Sequence, residues 1–82
     1  MKLQIEWSRQ ALSDLQRLDR PIAIRILETL TRFAETGQGD VKRLKEKEGS
    51  FRLRIGHYRV RFLRGKEAIL IQRVLHRGKA YR

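Results

Sequence analysis

Apolar and basic side chains alternate along residues 51–62, and this alternation constrains the fold more than any other feature of the 82-residue chain. Phe51 and Leu53 occupy one phase of the pattern, and Arg52 and Arg54 occupy the other. Because successive side chains of a β-strand point to opposite faces, the pattern predicts a strand with one apolar and one basic face. The alternation resumes after a short turn, which predicts a β-hairpin.

The second strand of this hairpin continues the same division of side chains. Tyr58, Val60 and Phe62 share the apolar phase, and Arg59 and Arg61 share the basic phase. If the two strands pair in antiparallel fashion, all the arginines of the hairpin lie on one sheet face, opposite the core. These arginines are Arg52, Arg54, Arg59 and Arg61. We expect this face to bind phosphate.

The remaining sequence predicts an α+β domain with the element order β-α-α-β-β-β. Apolar spacing predicts helices on either side of Pro21, the first capped by Ser8 and the second ending at Gly37. The two helices form a hairpin that packs on one face of a small, mainly antiparallel sheet. The predicted ranges are a strand at 2–7, a helix at 8–18, a helix at 21–37, a loop at 38–49 and a last strand at 67–75. At this length we expect one domain over residues 1–82.

The last strand is apolar in both phases, as expected for an interior strand. Strict alternation along it places Ile69 and Ile71 on the same face as Arg73 and Arg77. We therefore expect exposed apolar area beside the arginines, which a partner would cover.

The positive charge is unevenly distributed along the chain. Residues 1–40 hold six bases and six acids, whereas residues 41–82 hold fourteen bases and three acids and so carry the whole excess of +11. A concentrated positive field of this kind attracts a polyanion. The second half of the chain is therefore expected to meet nucleic acid.

Composition excludes several classes of function. The chain has no cysteine and only two histidines, so we expect no disulfide, no metal site and no cofactor. Its longest apolar run, 68–71, is far too short to cross a membrane, and residues 1–6 lack the apolar core of a signal peptide. These features favour a cytoplasmic protein.

Cleavage of an RNA backbone requires few catalytic groups and no cofactor, because the substrate supplies its own nucleophile, the ribose 2′-hydroxyl. The protein must align that oxygen, stabilise charge on the phosphorane and transfer two protons. Arg59, flanked by Arg52 and Arg54, suits the phosphate because a guanidinium is permanently charged and binds in a forked geometry. His76 and Tyr81 are the candidates for proton transfer, and neighbouring positive charge would lower the pKa of the Tyr81 phenol. The general base remains open between the two.

At these residues the chain resembles a known family. Gly56-His57-Tyr58-Arg59-Val60 after an Arg-Leu-Arg strand, followed by Leu75-His76-Arg77 and the final Tyr81-Arg82, is similar to the RelE branch of the RelE/ParE toxin superfamily. The resemblance implies a small α+β toxin that enters the ribosomal A site and cuts mRNA there. It also implies a cognate, RelB-like antitoxin that wraps the toxin and joins it in repressing operator DNA.

The same resemblance assigns roles to individual residues. It implies that Arg59 binds the phosphate, that Arg77 stabilises the transition state, and that Tyr81 orients or activates the 2′-hydroxyl. Arg52 and Arg54 stand where some members carry lysines; a guanidinium cannot exchange a proton as a lysine with a depressed pKa can, so their role here is electrostatic or the base lies elsewhere. The residues expected to contact mRNA or rRNA phosphate are Lys42, Arg43, Lys45, Lys47, Arg61 and Lys79.

Two other functions are compatible with the sequence. A ParE-like inhibitor of DNA gyrase would use the same fold without nuclease chemistry. A non-catalytic basic module that binds RNA or the ribosome would show steep salt dependence and leave RNA intact.

Overall fold

The computed structural model describes the backbone of residues 2–80 and the side chains of residues 2–78. This part of the chain forms five strands and three helices on one core. They are β1 (Gln4–Trp7), α1 (Arg9–Gln16), α2 (Arg20–Thr36), β2 (Asp40–Arg43), β3 (Ser50–Ile55), β4 (Tyr58–Arg64), β5 (Ala68–His76) and α3 (Arg77–Ala80). The predicted α+β class and the helical hairpin on a mainly antiparallel sheet are confirmed.

The strands form one mixed sheet in the order β1-β5-β4-β3-β2. β1 pairs in parallel with β5, and the other neighbouring pairs are antiparallel. The helix-facing side of the sheet is buried, and Leu53, Val60 and Phe62 are completely inaccessible there. The Phe62 ring lies 5.3 Å from that of Phe33 on α2 and 5.7 Å from that of Phe51, and these contacts join the helix layer to the sheet.

The start of α1 and both ends of α2 agree with the sequence signals, whereas α1 ends at Gln16, two residues before the predicted Leu18. The Ser8 hydroxyl caps α1 by accepting a hydrogen bond from the Ala11 N–H, and Pro21 lies in the first turn of α2 behind Asp19. α2 ends at Gly37, whose φ of 77° lies in the left-handed region that glycine adopts without strain.

The strand β2 was not predicted, because residues 38–49 were expected to form a loop. Its residues Asp40 to Arg43 pair with Arg54 to Phe51 at the edge of the sheet. Only Val41 is apolar and half-buried there, so the segment carries no period-two pattern of its own. Charged side chains are typical of edge strands, where they discourage further pairing, and β3 supplies the hydrogen-bond partners.

The expected exposure of Ile69 and Ile71 is wrong. Both side chains are completely buried in the helix-side core, whereas Arg73 lies on the other face. The cause is an irregularity in the β4–β5 ladder, where Arg61 pairs with Arg73 but Phe62 pairs with Ile71. Gln72 is therefore an extra residue, and such a bulge reverses the phase of the strand that contains it. Leu70, 36% exposed, is the apolar residue that remains accessible on β5.

Beyond the end of β1, the edge of β5 is contacted by Ser8 and by α1. The Ser8 N–H donates to the carbonyl oxygen of Ile71 at 2.9 Å, and the Ser8 hydroxyl donates to that of Gln72 at 3.0 Å. Further along, the Val74 N–H donates to the buried Asp14 carboxylate at 2.9 Å, and the Arg73 guanidinium binds the same carboxylate through Nε and Nη2. Ser8 and Asp14 thus satisfy backbone N–H and carbonyl groups of β5 that a longer β1 would have paired.

The Asp14 carboxylate is held in its charged form by these contacts. Burial alone would raise its pKa, but the hydrogen bonds from Arg73 and Val74 and the charges of Arg73 and Arg17 outweigh burial, so the pKa lies below its ordinary value of 3.8. A depressed carboxyl pKa stabilises the fold above the unfolded value, and this contribution is lost as the pH falls through the lower, folded value.

Asp14→Asn is accordingly expected to reduce the free energy of unfolding at pH 7 by about 2 kcal/mol, the range of a hydrogen bond to a charged group. Urea denaturation of the two proteins should show this difference at neutral pH and a smaller one as the pH falls below 3.8. An equal difference at all pH values would show that the Asp14 charge does not contribute. Asp19→Asn, at an exposed cap whose side chain makes no capping hydrogen bond, is the matched control.

Candidate nucleic-acid interface

A row of cations crosses four strands on the sheet face opposite the core. Lys42 of β2 pairs with Arg52 of β3, Arg52 pairs with Arg61 of β4, and Arg61 pairs with Arg73 of β5. Directly paired residues share a face and lie on strands about 4.8 Å apart. We call Lys42, Arg52, Arg61 and Arg73 the basic row. Like charges placed opposite one another repel. An anion bound along the row would relieve this repulsion, so the row favours anion binding.

A second pair of arginines lies next to the basic row on the same face. Arg54 of β3 pairs with Arg59 of β4, and Asp40 of β2 lies opposite Arg54. The prediction that the hairpin arginines share one face is therefore confirmed. Their side chains differ strongly in exposure, since Arg59 is only 8% exposed whereas Arg54 is exposed.

The Arg59 guanidinium is fixed in place by backbone carbonyls. Its Nη1 donates to the carbonyl oxygens of Gly56 and Tyr58, each at 3.1 Å. Gly56 lies in the β3–β4 turn, and Tyr58 is the first residue of β4. The backbone of the turn region therefore orients the guanidinium. A group that is already immobilised loses little conformational entropy when it binds a ligand.

Acidic side chains neutralise part of this face. Glu46 binds Arg61 at 2.7 Å, and Asp40 binds Arg54 at 2.9 Å; both carboxylates are more than half exposed. Exposed ion pairs of this kind contribute little to stability, so a polyanion can compete for these arginines at low cost. The Asp14–Arg73 pair is different, because the carboxylate is 92% buried and also binds the β5 backbone.

A surface depression of about 280 Å³ lies at the Arg61–Arg73 end of the basic row. Arg61 and Arg73 line it together with Ser50 and Gln72, and Glu46 closes one side. It combines two guanidinium groups with a hydroxyl and an amide, which are donors suited to phosphate or ribose oxygens.

Two of the residues predicted from the C-terminal tail, His76 and Arg77, lie at one end of the sheet. Arg77 is exposed at the start of α3, and its N–H donates to the His57 carbonyl oxygen at 2.7 Å. His76 is exposed and pairs with Tyr58, in the phase of the strand that faces the helices rather than the arginines. Tyr81 lies outside the described residues, as does the side chain of Lys79.

The predicted rRNA-binding residues 42–47 are divided by the fold. Lys42 and Arg43 belong to β2, where Lys42 joins the basic row and Arg43 pairs with Phe51 in the opposite phase. Lys45 and Lys47 follow the strand, and all four side chains are exposed.

Asp14 was missed as a functional neighbour of the arginine face. The signal was present, because Asp14 stands three residues after Ala11 and one before Leu15, on the apolar side of α1. A lone acid at such a position indicates a buried cationic or backbone partner. In the described residues no group of three or more potential ligands could hold a metal ion, and within residues 2–80 no helix is long and apolar enough to cross a membrane.

Comparison with known proteins places this geometry in a family. The family model of the ParE toxin of type II toxin–antitoxin systems matches residues 5–81. The chain belongs to the RelE/ParE toxin superfamily. It is thus a toxin of the type II toxin–antitoxin class, and the resemblance stated from the sequence is confirmed at the level of the superfamily. No curated protein sequence matches the chain.

Solved structures of this superfamily share the fold of the toxin over nearly its full length. The archaeal RelE–RelB complex of Pyrococcus horikoshii has a TM-score of 0.80 at 25% identity, covering 98% of this chain and 100% of that one. The RelBE2 toxin–antitoxin complex of Mycobacterium tuberculosis has a TM-score of 0.81 at 25% identity, covering 96% and 95%. The chromosomal ParDE system of Pseudomonas aeruginosa, at 18% identity, has a TM-score of 0.65 and covers 90% and 95%. The first two of these structures are toxin–antitoxin complexes, and the third belongs to a ParDE toxin–antitoxin system.

Proposed function

We propose that this toxin is a metal-independent endoribonuclease that cleaves mRNA in the ribosomal A site. The observation that carries the proposal is the cross-strand alignment of arginines on one exposed sheet face, with Arg59 immobilised at its end. A surface of this kind binds a chain of phosphates and holds one of them in a defined position.

The proposed reaction uses the residues that the sequence singled out. The ribose 2′-oxygen attacks the adjacent phosphorus, the bond to the 5′-oxygen breaks, and a 2′,3′-cyclic phosphate forms. Arg59 and Arg77 stabilise the charge on the phosphorane, Arg52 and Arg54 add positive potential, and Tyr81 or His76 transfers protons. The position of His76 in the helix-facing phase of β5 favours Tyr81 as the general base.

In the proposed complex the toxin is bound by the ribosome as well as by mRNA. The cations Lys42, Arg43, Lys45, Lys47, Arg61 and Lys79 contact rRNA or mRNA phosphates outside the scissile position. Such contacts position the toxin without reading sequence. A RelB-like antitoxin covers the basic face, works in the cytoplasm with the toxin, and brings the pair to operator DNA.

Purified toxin added to ribosomes programmed with a defined mRNA is expected to cut the message within the A-site codon. A chelator selective for transition metals is present throughout, and Mg²⁺ is kept so that the ribosomes stay assembled. Primer extension locates the cut. Tyr81→Phe should abolish most of this activity, whereas His76→Gln should retain it if Tyr81 is the base; the reverse result would assign the base to His76. If the mRNA stays intact with the unmodified toxin, the proposed endonuclease activity is wrong.

Inhibition of DNA gyrase is the second candidate, and the ParE name of the matching family model favours it. A supercoiling assay distinguishes the two functions. Purified toxin that blocks gyrase-driven supercoiling of relaxed plasmid, and leaves ribosome-bound mRNA intact, would establish the second function in place of the first.

A further inference from the structure

The zero net charge of residues 1–40 conceals a separation of charges within the helical hairpin. Residues 9–25 hold four bases and two acids, whereas residues 28–40 hold one base and three acids. Arg17 and Arg20 flank the turn between the helices, and Arg25 lies in the second turn of α2. They belong to the half of the chain that the sequence alone did not connect with nucleic acid.

The fold brings this end of the hairpin to the β3–β4 turn. The Arg25 guanidinium lies over Gly56, with Nη1 3.3 Å from the position that a Cβ atom would occupy there. Gly56 has a φ of 59°, so the absence of a side chain allows both the turn and the close approach of Arg25. Arg25 therefore lies at the same turn whose carbonyl orients Arg59.

Arg17 reaches the same end of the molecule from α1. It lines a groove together with Tyr58 and His76, beside the Asp14–Arg73 pair. The His76 ring lies 6.2 Å from that of His57 and contacts the Tyr58 ring edge-on at 5.4 Å. We call Arg17, Arg25, His57 and His76 the helix-side tip.

The acids near the helix-side tip offset only part of its positive charge, and the Asp14 charge acts on Arg17 as well as on Arg73. Asp14 is bound by Arg73 and the β5 backbone, and Asp19 is exposed at the start of α2 between Arg17 and Arg20. In residues 2–80 neither Arg17 nor Arg25 forms an ion pair. Their positive charge is therefore available to a ligand.

We infer that the helix-side tip is a second RNA-binding surface of this toxin. An RNA strand that lies on the arginine face passes round the β3–β4 turn, and the phosphates beyond it contact Arg17 and Arg25. The Tyr58 and His76 rings line the groove beside Arg17 and offer a wall to ribose or base. This inference rests on the proposed binding of RNA but not on cleavage.

The test measures RNA binding without chemistry. The probe is a single-stranded 2′-O-methyl RNA long enough to cross both faces, which the toxin cannot cleave because the nucleophile is blocked. Affinity is measured by fluorescence anisotropy over a series of salt concentrations. Arg17→Gln combined with Arg25→Gln should weaken binding and reduce the magnitude of the salt slope by about 1.4, since each lost phosphate contact on a single strand accounts for about 0.7.

The control is Arg9→Gln combined with Arg32→Gln, which removes the same charge from exposed positions of α1 and α2 away from the tip. If both double variants lower affinity and slope equally, or if neither does, the helix-side tip is not a binding surface. Thermal denaturation establishes that both variants are folded. Failure of mRNA cleavage by the unmodified toxin, with the slope difference intact, would overturn the endonuclease and leave the second surface standing.

Ribosome binding identifies which RNA meets the tip. A tip that contacts rRNA predicts that the Arg17 and Arg25 double variant binds vacant and programmed ribosomes less tightly by the same factor. A tip that contacts mRNA predicts the loss only with programmed ribosomes. Unchanged binding in both cases, with binding of the variant to the free probe also unchanged, would overturn the inference.

Discussion

Arg59→Ala is expected to lower the rate of ribosome-dependent mRNA cleavage by at least about 10²-fold, the cost of removing one preorganised donor from a developing oxyanion. Arg59 is 8% exposed, and its guanidinium donates hydrogen bonds to the carbonyl oxygens of Gly56 and Tyr58, so its removal takes away a donor that the fold already holds in position. Arg59→Lys should also lose most of the activity, because an ammonium group lacks the forked geometry.

The loss must be separated from unfolding, since Arg59 also bonds the turn. Thermal denaturation of Arg59→Ala should show a folded protein, destabilised by about 2–3 kcal/mol for the lost hydrogen bonds of a charged group. Arg9→Ala, at an exposed position of α1, is the matched control and should cleave normally. A folded Arg59→Ala toxin that cleaves mRNA at the normal rate would show that this arginine does not bind the scissile phosphate.

Phe62→Ala is expected to reduce the free energy of unfolding by about 3–5 kcal/mol, which is the cost of removing a large buried aromatic side chain. The ring is completely buried in β4 and packs against Phe33 of α2 and Phe51 of β3. Small domains are stable by only about 5–15 kcal/mol, so the variant should be close to unfolded at physiological temperature.

Chemical denaturation measures this loss directly, with the slope of the transition as a check on two-state behaviour. Leu12→Ala is the control, because Leu12 is 43% exposed and should change the stability by less than about 0.5 kcal/mol. A loss below 1 kcal/mol for Phe62→Ala would show that the helix layer is not anchored to the sheet through this ring.

The period-two pattern predicted the arginine face because it is a local signal. Arg52 and Arg54 must project opposite to Leu53 in any regular strand, and the antiparallel pairing of β3 with β4 then brings them beside Arg59 and Arg61. The start of α1 and the end of α2 were predicted for the same reason, since a serine cap and a left-handed glycine act within one turn of a helix.

The errors arose where distant residues determine the local structure. β2 forms because β3 offers it an edge, although Lys42 and Arg43 show no strand pattern. Ile71 is buried because a bulge opposite Arg61 reverses the phase of β5, and nothing in β5 alone places an extra residue at Gln72. A register is a property of two strands, so one strand's sequence does not contain it.

The sequence by itself determined that this chain has a basic sheet face opposite an apolar one, because strand geometry allows no other arrangement of those residues. Only the tertiary structure decided what surrounds that face. It extended the arginines into a row from Lys42 to Arg73, tied Arg73 to Asp14, and brought Arg25 to the turn beside Arg59. These contacts join residues that are far apart in the chain, and they exist only because the hydrophobic core holds the helical hairpin against the sheet.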